Sequence, residues 1–157
     1  VFPVQLLAFS TSSSAAVMPL SIETARRRLG TPGDTASFVI PLAATMNMAG
    51  TALYQAIAVI FVAQVAGVHL STPEVALIIL SLVAASIGAP GAPGVSIAIL
   101  SGMLATFGIP AEGLVFVIGV DRLLDMSRTL VNVTGDLAAC RILSRSPETA
   151  PEAANST

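Results

Sequence analysis

Five polar and charged residues recur at helical spacing near the C-terminal end of the chain, within "LVFVIGVDRLLDMSRTLVNVTGDLAAC". They are Asp121, Asp125, Arg128, Asn132 and Asp136, at intervals of 4, 3, 4 and 4 residues. At about 100° per residue they fall in a stripe about 80° wide on one helix face. One arginine against three carboxylates leaves negative charge uncompensated, which indicates a bound cation. The alternative is an internally neutralised ladder, in which Arg128 pairs with Asp121 or Asp125 only to hold a helix bundle together.

The helix that carries this stripe is otherwise rich in Leu, Val, Ile and Met, and the whole chain shares that apolar character. Of its 157 residues, 54% are hydrophobic and only 10% are charged, whereas soluble domains carry about 25% charged residues. The composition therefore predicts a membrane protein. Because a charged side chain at membrane depth costs about 2.5–3.5 kcal/mol, we expect the stripe to face a binding site or a pathway.

Composition also excludes several classes of function. All seven basic residues are arginines and the formal net charge is −2, so we expect no basic face for nucleic acid. The single Cys140 rules out an intrachain disulfide and, with His69 as its only companion, a Cys/His metal site. No motif typical of an intramembrane protease is found, and we do not expect an enzyme. The opening "VFPVQLLAFS" lacks Met, a basic segment and a cleavage site, which favours the second portion of a longer protein over a signal peptide.

Four hydrophobic units must position the charged stripe. They cover residues 1–30, 38–68, 72–108 and 114–143, and a polar tail at 144–157 is expected to be disordered. The third unit contains "SIGAPGAPGVS" between two apolar arms, 75–87 and 95–107, of 13 residues each. Each arm reaches about 20 Å, less than a hydrocarbon core of about 30 Å. This predicts a re-entrant hairpin with its tip inside the membrane; one long span kinked at Pro90 and Pro93 is the alternative.

The first two units carry weaker signals. Residues 1–30 repeat the hairpin design around a serine tip at 10–14, although a serine in a membrane helix often bonds a carbonyl one turn back. Residues 38–68 contain "TMNMAGT", in which Thr45, Asn47, Gly50 and Thr51 interrupt an apolar run. An unwound turn that offers carbonyls to a cation and a helix contact built on small residues explain it equally well. The predicted fold is an all-α membrane protein with two re-entrant hairpins and two spanning helices, one of them broken.

Arginines in the connections predict the orientation. Five of them lie in loop 23–37 or at the C-terminal end, whereas the connections around His69 and Glu112 contain no basic residue. By the positive-inside rule, loop 23–37 and the C-terminus are cytoplasmic. The five are Arg26, Arg27, Arg28, Arg141 and Arg145.

Four motifs, in this order and spacing, resemble the C-terminal transport core of the dicarboxylate/amino acid:cation symporter family, of the glutamate-transporter type. They are "STSSSAAVMP", "NMAGTALYQAIAVIFVAQ", "SIGAPGAPG" and "DRLLDMSRTLVNVTGD". The resemblance covers roughly residues 5–143. It implies an elevator-type, multi-pass transporter of the cell (inner) membrane, usually a homotrimer, in which two re-entrant hairpins enclose one substrate. It also implies that the N-terminal scaffold, through which the trimer assembles, is absent from this chain.

The resemblance further implies roles for particular residues. Asp125 would bind the ammonium of an amino acid and Arg128 its side-chain carboxylate, through a bidentate pair. The rest of the substrate site would come from Ser13, Ser14, Met48, Thr51, Thr129, Asn132 and the backbone around Ala92. One cation site would use Asp136, Asn132, Asn47 and the carbonyl of Ala43, and another mostly carbonyl oxygens at Thr45, Ser86, Ile87 and Ala89. Oxygen ligands suit a hard cation; the family typically uses Na⁺, and no other cofactor is expected.

We therefore expect symport of aspartate or glutamate with Na⁺, since a plain dicarboxylate has no ammonium for Asp125. Ala49 stands where the family pattern Asn-Met-Asp-Gly-Thr has Asp, which predicts a changed number or identity of cations, with protons as one alternative. Ala43 replaces the usual Gly, and Ala89-Pro90 alters the second tip. A dicarboxylate or neutral amino acid symporter is the alternative transport function. A non-transporting, truncated membrane module is the alternative from another class.

Overall fold

The computed structural model describes residues 1–87 and 95–144, and within these ranges every regular element is a helix. The all-α prediction is confirmed for this part of the chain. Ala89, Ala92 and the tail from residue 145 onward lie outside the described residues. The helices are α1 (Phe2–Thr11), α2 (Ser14–Arg28), α3 (Gly33–Met46), α4 (Ala49–Val65), α5 (Thr72–Ser86), α6 (Val95–Thr106) and α7 (Leu114–Leu143), with a 3₁₀ turn at Ala111–Gly113.

Helices α1 and α2 are joined by two serines. Ser12 adopts left-handed backbone angles (φ 53°, ψ 30°), and its N–H donates to the Ala8 carbonyl, which ends α1. Ser13 is extended, and its Oγ accepts the N–H of Ala16 at 3.3 Å, which starts α2 as an N-cap. The serine tip of the first unit is therefore a C-cap followed directly by an N-cap.

The second unit is interrupted, and it begins earlier than the sequence indicated. Helix α3 starts at Gly33 rather than at residue 38, and the helical run stops at Asn47 (φ −98°, ψ 75°) and Met48 (φ −103°, ψ 39°) before α4 begins. Together α3 and α4 form the stretch Gly33–Val65, which among the described residues is the one that is long and apolar enough to cross a membrane.

Helices α5 and α6 are short apolar helices on either side of residues 87–94. Helix α5 has 15 residues and α6 has 12, so they reach about 22 and 18 Å, less than a bilayer core of about 30 Å. Helix α5 begins with Ser71 as its N-cap, and the Ser71 N–H donates to Glu74 Oε2 at 2.8 Å.

The buried apolar residues form two separate cores, and α7 contributes to both. One core joins α1, α2, α3 and the C-terminal half of α7, around Val17, Ile40 and Leu137. The other joins α4, α5, α6 and the start of α7, around Val59 and Leu82. The break at residues 47 and 48 separates α3, which packs in the first core, from α4, which packs in the second. Many large apolar side chains on the outside are exposed, among them Phe38, Leu80 and Phe116, as expected for a surface in contact with lipid.

Candidate functional site

The centre of the charged stripe is a buried ion pair on α7. Arg128 Nε donates to Asp125 Oδ1 at 2.8 Å, and Arg128 Nη2 donates to the same oxygen. Asp125 is 3% exposed and Arg128 is 7% exposed. Arg128 Nη1 is buried and has no hydrogen-bond partner within residues 1–87 and 95–144. Since an unpaired buried donor is costly, this nitrogen is suited to an additional acceptor.

A tyrosine from α4 packs against the same guanidinium. The Tyr54 ring centroid lies 5.4 Å from Arg128 Cζ, within the range of a cation–π contact. The Tyr54 hydroxyl donates to Asp121 Oδ1 at 2.8 Å. Asp121, the first residue of the stripe, is thus hydrogen-bonded to Tyr54, whereas Arg128 forms its ion pair with Asp125. Tyr54 was not identified from the sequence, although it is the chain's one tyrosine and lies within an apolar helical run.

Asn132 reaches from α7 into the break between α3 and α4. Its Oδ1 accepts the Gly50 N–H at 2.8 Å, while its Nδ2 donates to Thr51 Oγ1 at 3.0 Å and lies 3.3 Å from Met48 Sδ. Thr51 Oγ1 in turn lies 3.8 Å from Met48 Sδ. Three residues assigned to the substrate site by resemblance, Met48, Thr51 and Asn132, therefore form one buried cluster at the helix break.

The other side of the break contacts the C-terminal part of the stripe. Asn47 Nδ2 donates to Asp136 Oδ1 at 3.0 Å and to the Asn132 carbonyl at 3.3 Å. The helices approach closely here: a Cβ at Gly50 would lie 2.6 Å from the Arg128 carbonyl oxygen, and one at Gly135 would collide with Asn47 Nδ2. Gly135 was not identified from the sequence, because nothing local distinguishes it from other helical glycines.

The cation ligands that the resemblance implies belong to two sites, one around Asp136 and one around Thr45. Asn47, Asn132 and Asp136 come together, and the Ala43 carbonyl is close by but accepts the Asn47 N–H at 2.7 Å. Thr45 is exposed and its Oγ1 donates to the Leu42 carbonyl at 2.8 Å. Ser86 is buried and its hydroxyl donates to the Val83 carbonyl, whereas Ile87 is exposed at the end of α5. Ala89 lies outside the described residues.

The remaining predicted substrate residues are Ser13, Ser14, Ala92 and Thr129. Thr129 is buried, but its Oγ1 donates back to the Asp125 carbonyl at 2.8 Å. Ser13 caps α2 and Ser14 is buried at the start of that helix. Ala92 lies outside the described residues. Helix α1, which ends at the serine tip, packs along α7, which carries the charged stripe.

A groove of about 520 Å³ opens between α4 and α7. Its walls are apolar for most of their length, with Ile57 and Phe61 on α4 and Phe116 and Val120 on α7. Tyr54 and Arg128 also line it. The groove therefore presents mostly apolar surface beside the two residues of the cation–π pair.

Polar and charged side chains converge on a broken helix inside an otherwise apolar helical chain, an arrangement typical of a membrane protein, in which irregular backbone is tolerated where it is buried in protein or lines a cavity. The chain belongs to the sodium:dicarboxylate symporter family, whose sequence model matches residues 1–146. This family is a family of transporters, so the chain is a membrane protein.

Curated relatives from bacteria and animals match most of the chain. A proton/sodium-glutamate symport protein of Bacillus subtilis (strain 168) is 46% identical over 140 residues, 89% of this chain and 32% of the relative. A proton/glutamate-aspartate symporter of Escherichia coli (strain K12) is 44% identical over 140 residues, 89% of this chain and 32% of the relative. Excitatory amino acid transporter 3 of Mus musculus is 42% identical over 131 residues, 83% of this chain and 25% of the relative. The chain thus spans about a third or less of the length of these relatives.

Proposed function

We propose that this chain forms the substrate and cation site of a secondary active symporter that carries aspartate or glutamate together with Na⁺. The observation that carries the proposal is the buried Asp125–Arg128 pair, in which Arg128 Nη1 has no hydrogen-bond partner among the described residues. A zwitterionic acidic amino acid offers an ammonium for Asp125 and a side-chain carboxylate for Arg128. A plain dicarboxylate would leave Asp125 without a cationic partner. The relatives named as glutamate and glutamate-aspartate symporters support the same substrate class.

The rest of the substrate site comes from the two tips and from the break. Met48, Thr51 and Asn132 already share one hydrogen-bonded cluster, and we assign Thr129 to the substrate's polar groups beside them. The first tip contributes Ser13 and Ser14. The backbone around Ala92 contributes from the second tip.

The coupling cation binds beside this cluster. The Asn47 amide lies within hydrogen-bond distance of both the Asp136 carboxylate and the Asn132 carbonyl, and with the Ala43 carbonyl these residues form an oxygen-rich site suited to Na⁺. Entry of the ion replaces the Asn47 amide as the partner of the Asp136 carboxylate. Carbonyl oxygens at Thr45, Ser86, Ile87 and Ala89 form a second site.

The proposal includes an architecture for the working protein. The pairs α1–α2 and α5–α6 are re-entrant hairpins, which their short lengths support, and the whole moves as an elevator-type transport domain. Loop 23–37 and the C-terminus face the cytoplasm of the cell (inner) membrane, in keeping with arginines in that loop. The full transporter is a homotrimer assembled through scaffold helices outside this chain.

Proton coupling is the second candidate, and Ala49 favours it. This residue is exposed beside the break and contributes no carboxylate for an additional cation. Two bacterial relatives carry "proton" in their names. Coupling to protons would leave the proposed amino acid site unchanged.

The test is transport by the complete gene product in liposomes. Uptake of labelled aspartate is measured under a Na⁺ gradient, a proton gradient and neither, with succinate and alanine as competitors. Arg128→Lys retains the charge but not the planar donor fork, and we expect it to lower uptake about tenfold or more. Arg141→Lys, on the same helix but outside the site, is the matched control.

Each outcome selects one of the candidates. Na⁺-driven uptake that Arg128→Lys abolishes and Arg141→Lys does not supports the proposal. Uptake driven by protons alone retains the site and assigns the coupling to the second candidate. Equally strong inhibition of aspartate uptake by succinate or by alanine contradicts the acidic amino acid assignment and favours the dicarboxylate or neutral amino acid alternative. A folded protein with no uptake under any gradient contradicts symport and favours a non-transporting module.

A further inference from the structure

The serine tip adopts a backbone conformation that needs support from its surroundings. Ser12 is the one non-glycine residue of the described chain with a positive φ, at 53°, and a residue with a Cβ rarely adopts this region. Its own contacts are local: the Ser12 N–H donates to the Ala8 carbonyl at 2.9 Å, and the Ser13 N–H donates to Thr11 Oγ1 at 3.4 Å. These bonds lie within the α1–α2 pair, so they do not set where the tip lies relative to α7.

One hydrogen bond does join the tip to α7. Arg122 Nη2 donates to the Ser10 carbonyl at 3.5 Å, across 112 residues of sequence. This bond reaches the tip from outside the α1–α2 pair. Ser10 is in the last turn of α1, and that turn contains no basic residue of its own. A guanidinium here complements the negative end of the helix dipole and an otherwise unpaired terminal carbonyl.

Arg122 is free to do this because the nearby carboxylates of α7 have other partners. Asp121 accepts the Tyr54 hydroxyl, and Asp125 accepts Arg128. No carboxylate within residues 1–87 and 95–144 lies within ion-pair distance of Arg122. Arg122 lies eight residues after the start of α7, about 12 Å into the helix. The positive-inside rule concerns arginines in loops and near the ends of membrane helices, so it does not explain this position.

We propose that Arg122 is a positioning residue: by capping the C-terminal end of α1 from α7, it sets the serine tip at a defined place relative to Asp125 and Arg128. The inference rests on the proposed function, in which Ser13 and Ser14 contact substrate. Arg122 itself contacts no substrate. Arg122 lies three positions before Asp125 on α7, so one helix aligns both the tip and the ion pair.

The test combines the kinetics of the complete gene product with hydrogen exchange at the tip. Arg122→Gln removes the charge, Arg122→Lys retains it, and Arg141→Gln removes one arginine from the other end of α7 as the matched control. In liposomes we expect Arg122→Gln to raise the apparent KM for aspartate about threefold to tenfold, with Vmax within about twofold of wild type. In mass spectrometry without substrate, exchange of residues 10–14 accelerates by a similar factor, and exchange in α3 and α4 is unchanged. Arg122→Lys lies between the two, and Arg141→Gln matches wild type.

The two readouts separate failure of this inference from failure of the proposed function. If the wild-type protein takes up no aspartate, the proposed function fails, and tip exchange alone decides the role of Arg122. Unchanged exchange at residues 10–14 in Arg122→Gln overturns the inference, whatever happens to KM. Acceleration throughout the chain also overturns it, because that is general destabilisation.

Discussion

Asn132 caps a helix to which it does not belong. Its Oδ1 accepts the Gly50 N–H at 2.8 Å, in the first turn of α4, and the N-cap residue Met48 makes no side-chain capping bond of its own. The first N–H groups of any helix lack intrahelical partners, and inside a membrane water does not replace them. The break between α3 and α4 is therefore closed by a side chain from α7, and α7 connects the two cores.

Removing this cap should destabilise the fold as well as the site. Asn132→Ala leaves the Gly50 N–H buried and unbonded, and we expect it to lower the free energy of unfolding by about 1–3 kcal/mol. The measurement is detergent-induced unfolding followed by circular dichroism. Val131→Ala, at an exposed position on the same helix, is the control. Equal losses in the two variants would contradict the capping role.

Gly50 is required by the close approach of α4 to α7. In Gly50→Ala the new Cβ would meet the Arg128 carbonyl oxygen at 2.6 Å, and because that atom is backbone the helices must separate. We expect a loss of about 1–3 kcal/mol in unfolding free energy. Gly102→Ala has nothing within 4 Å of the new Cβ and should gain about 0.5–1 kcal/mol from helix propensity. Both are measured by the same unfolding assay; a stable Gly50→Ala would show that α4 and α7 are less tightly packed than described.

Tyr54 and Asp121 should be energetically coupled. Tyr54→Phe retains the ring beside Arg128 and removes only the hydroxyl that donates to Asp121 at 2.8 Å. A double-mutant cycle with Asp121→Asn should give an interaction free energy of about 0.5–1.5 kcal/mol. The corresponding cycle of Tyr54→Phe with Asp34→Asn, on a different helix, should give a value near zero. Additive effects of Tyr54→Phe and Asp121→Asn would rule out the bond.

The start of α5 should weaken in acid. Hydrogen bonds from the Ser71 side chain and N–H lower the pKa of Glu74 below its ordinary 4.5. A carboxyl whose pKa is lowered by folding adds stability that is present above its unfolded pKa and is lost as pH falls through its folded pKa. Hydrogen exchange of the first turn of α5 should therefore accelerate below about pH 4 relative to pH 7, after correction for intrinsic rates. Glu74→Gln should remove this pH dependence; its persistence in that variant would assign it to another group.

Local pattern was sufficient for the helices and for the stripe. The spacing from Asp121 to Asp136 depends only on the pitch of one helix, so it could be predicted without knowing any partner, and α7 runs from Leu114 to Leu143. Helix ends were less predictable: α3 starts at Gly33, directly after its N-cap Pro32 (φ −53°, ψ 143°), whereas the apolar run that defined the unit starts five residues later.

The sequence by itself determined an apolar, all-helical, membrane-type chain with one charged helix and an interrupted second unit. Tertiary structure decided the partners. Helical periodicity gives a side chain's direction relative to its own axis, but its partner depends on which other helix packs there and at what height. That is why Asp121 bonds Tyr54, why Asn132 fills the break beside Gly50, and why Arg122, off the stripe, reaches the end of α1.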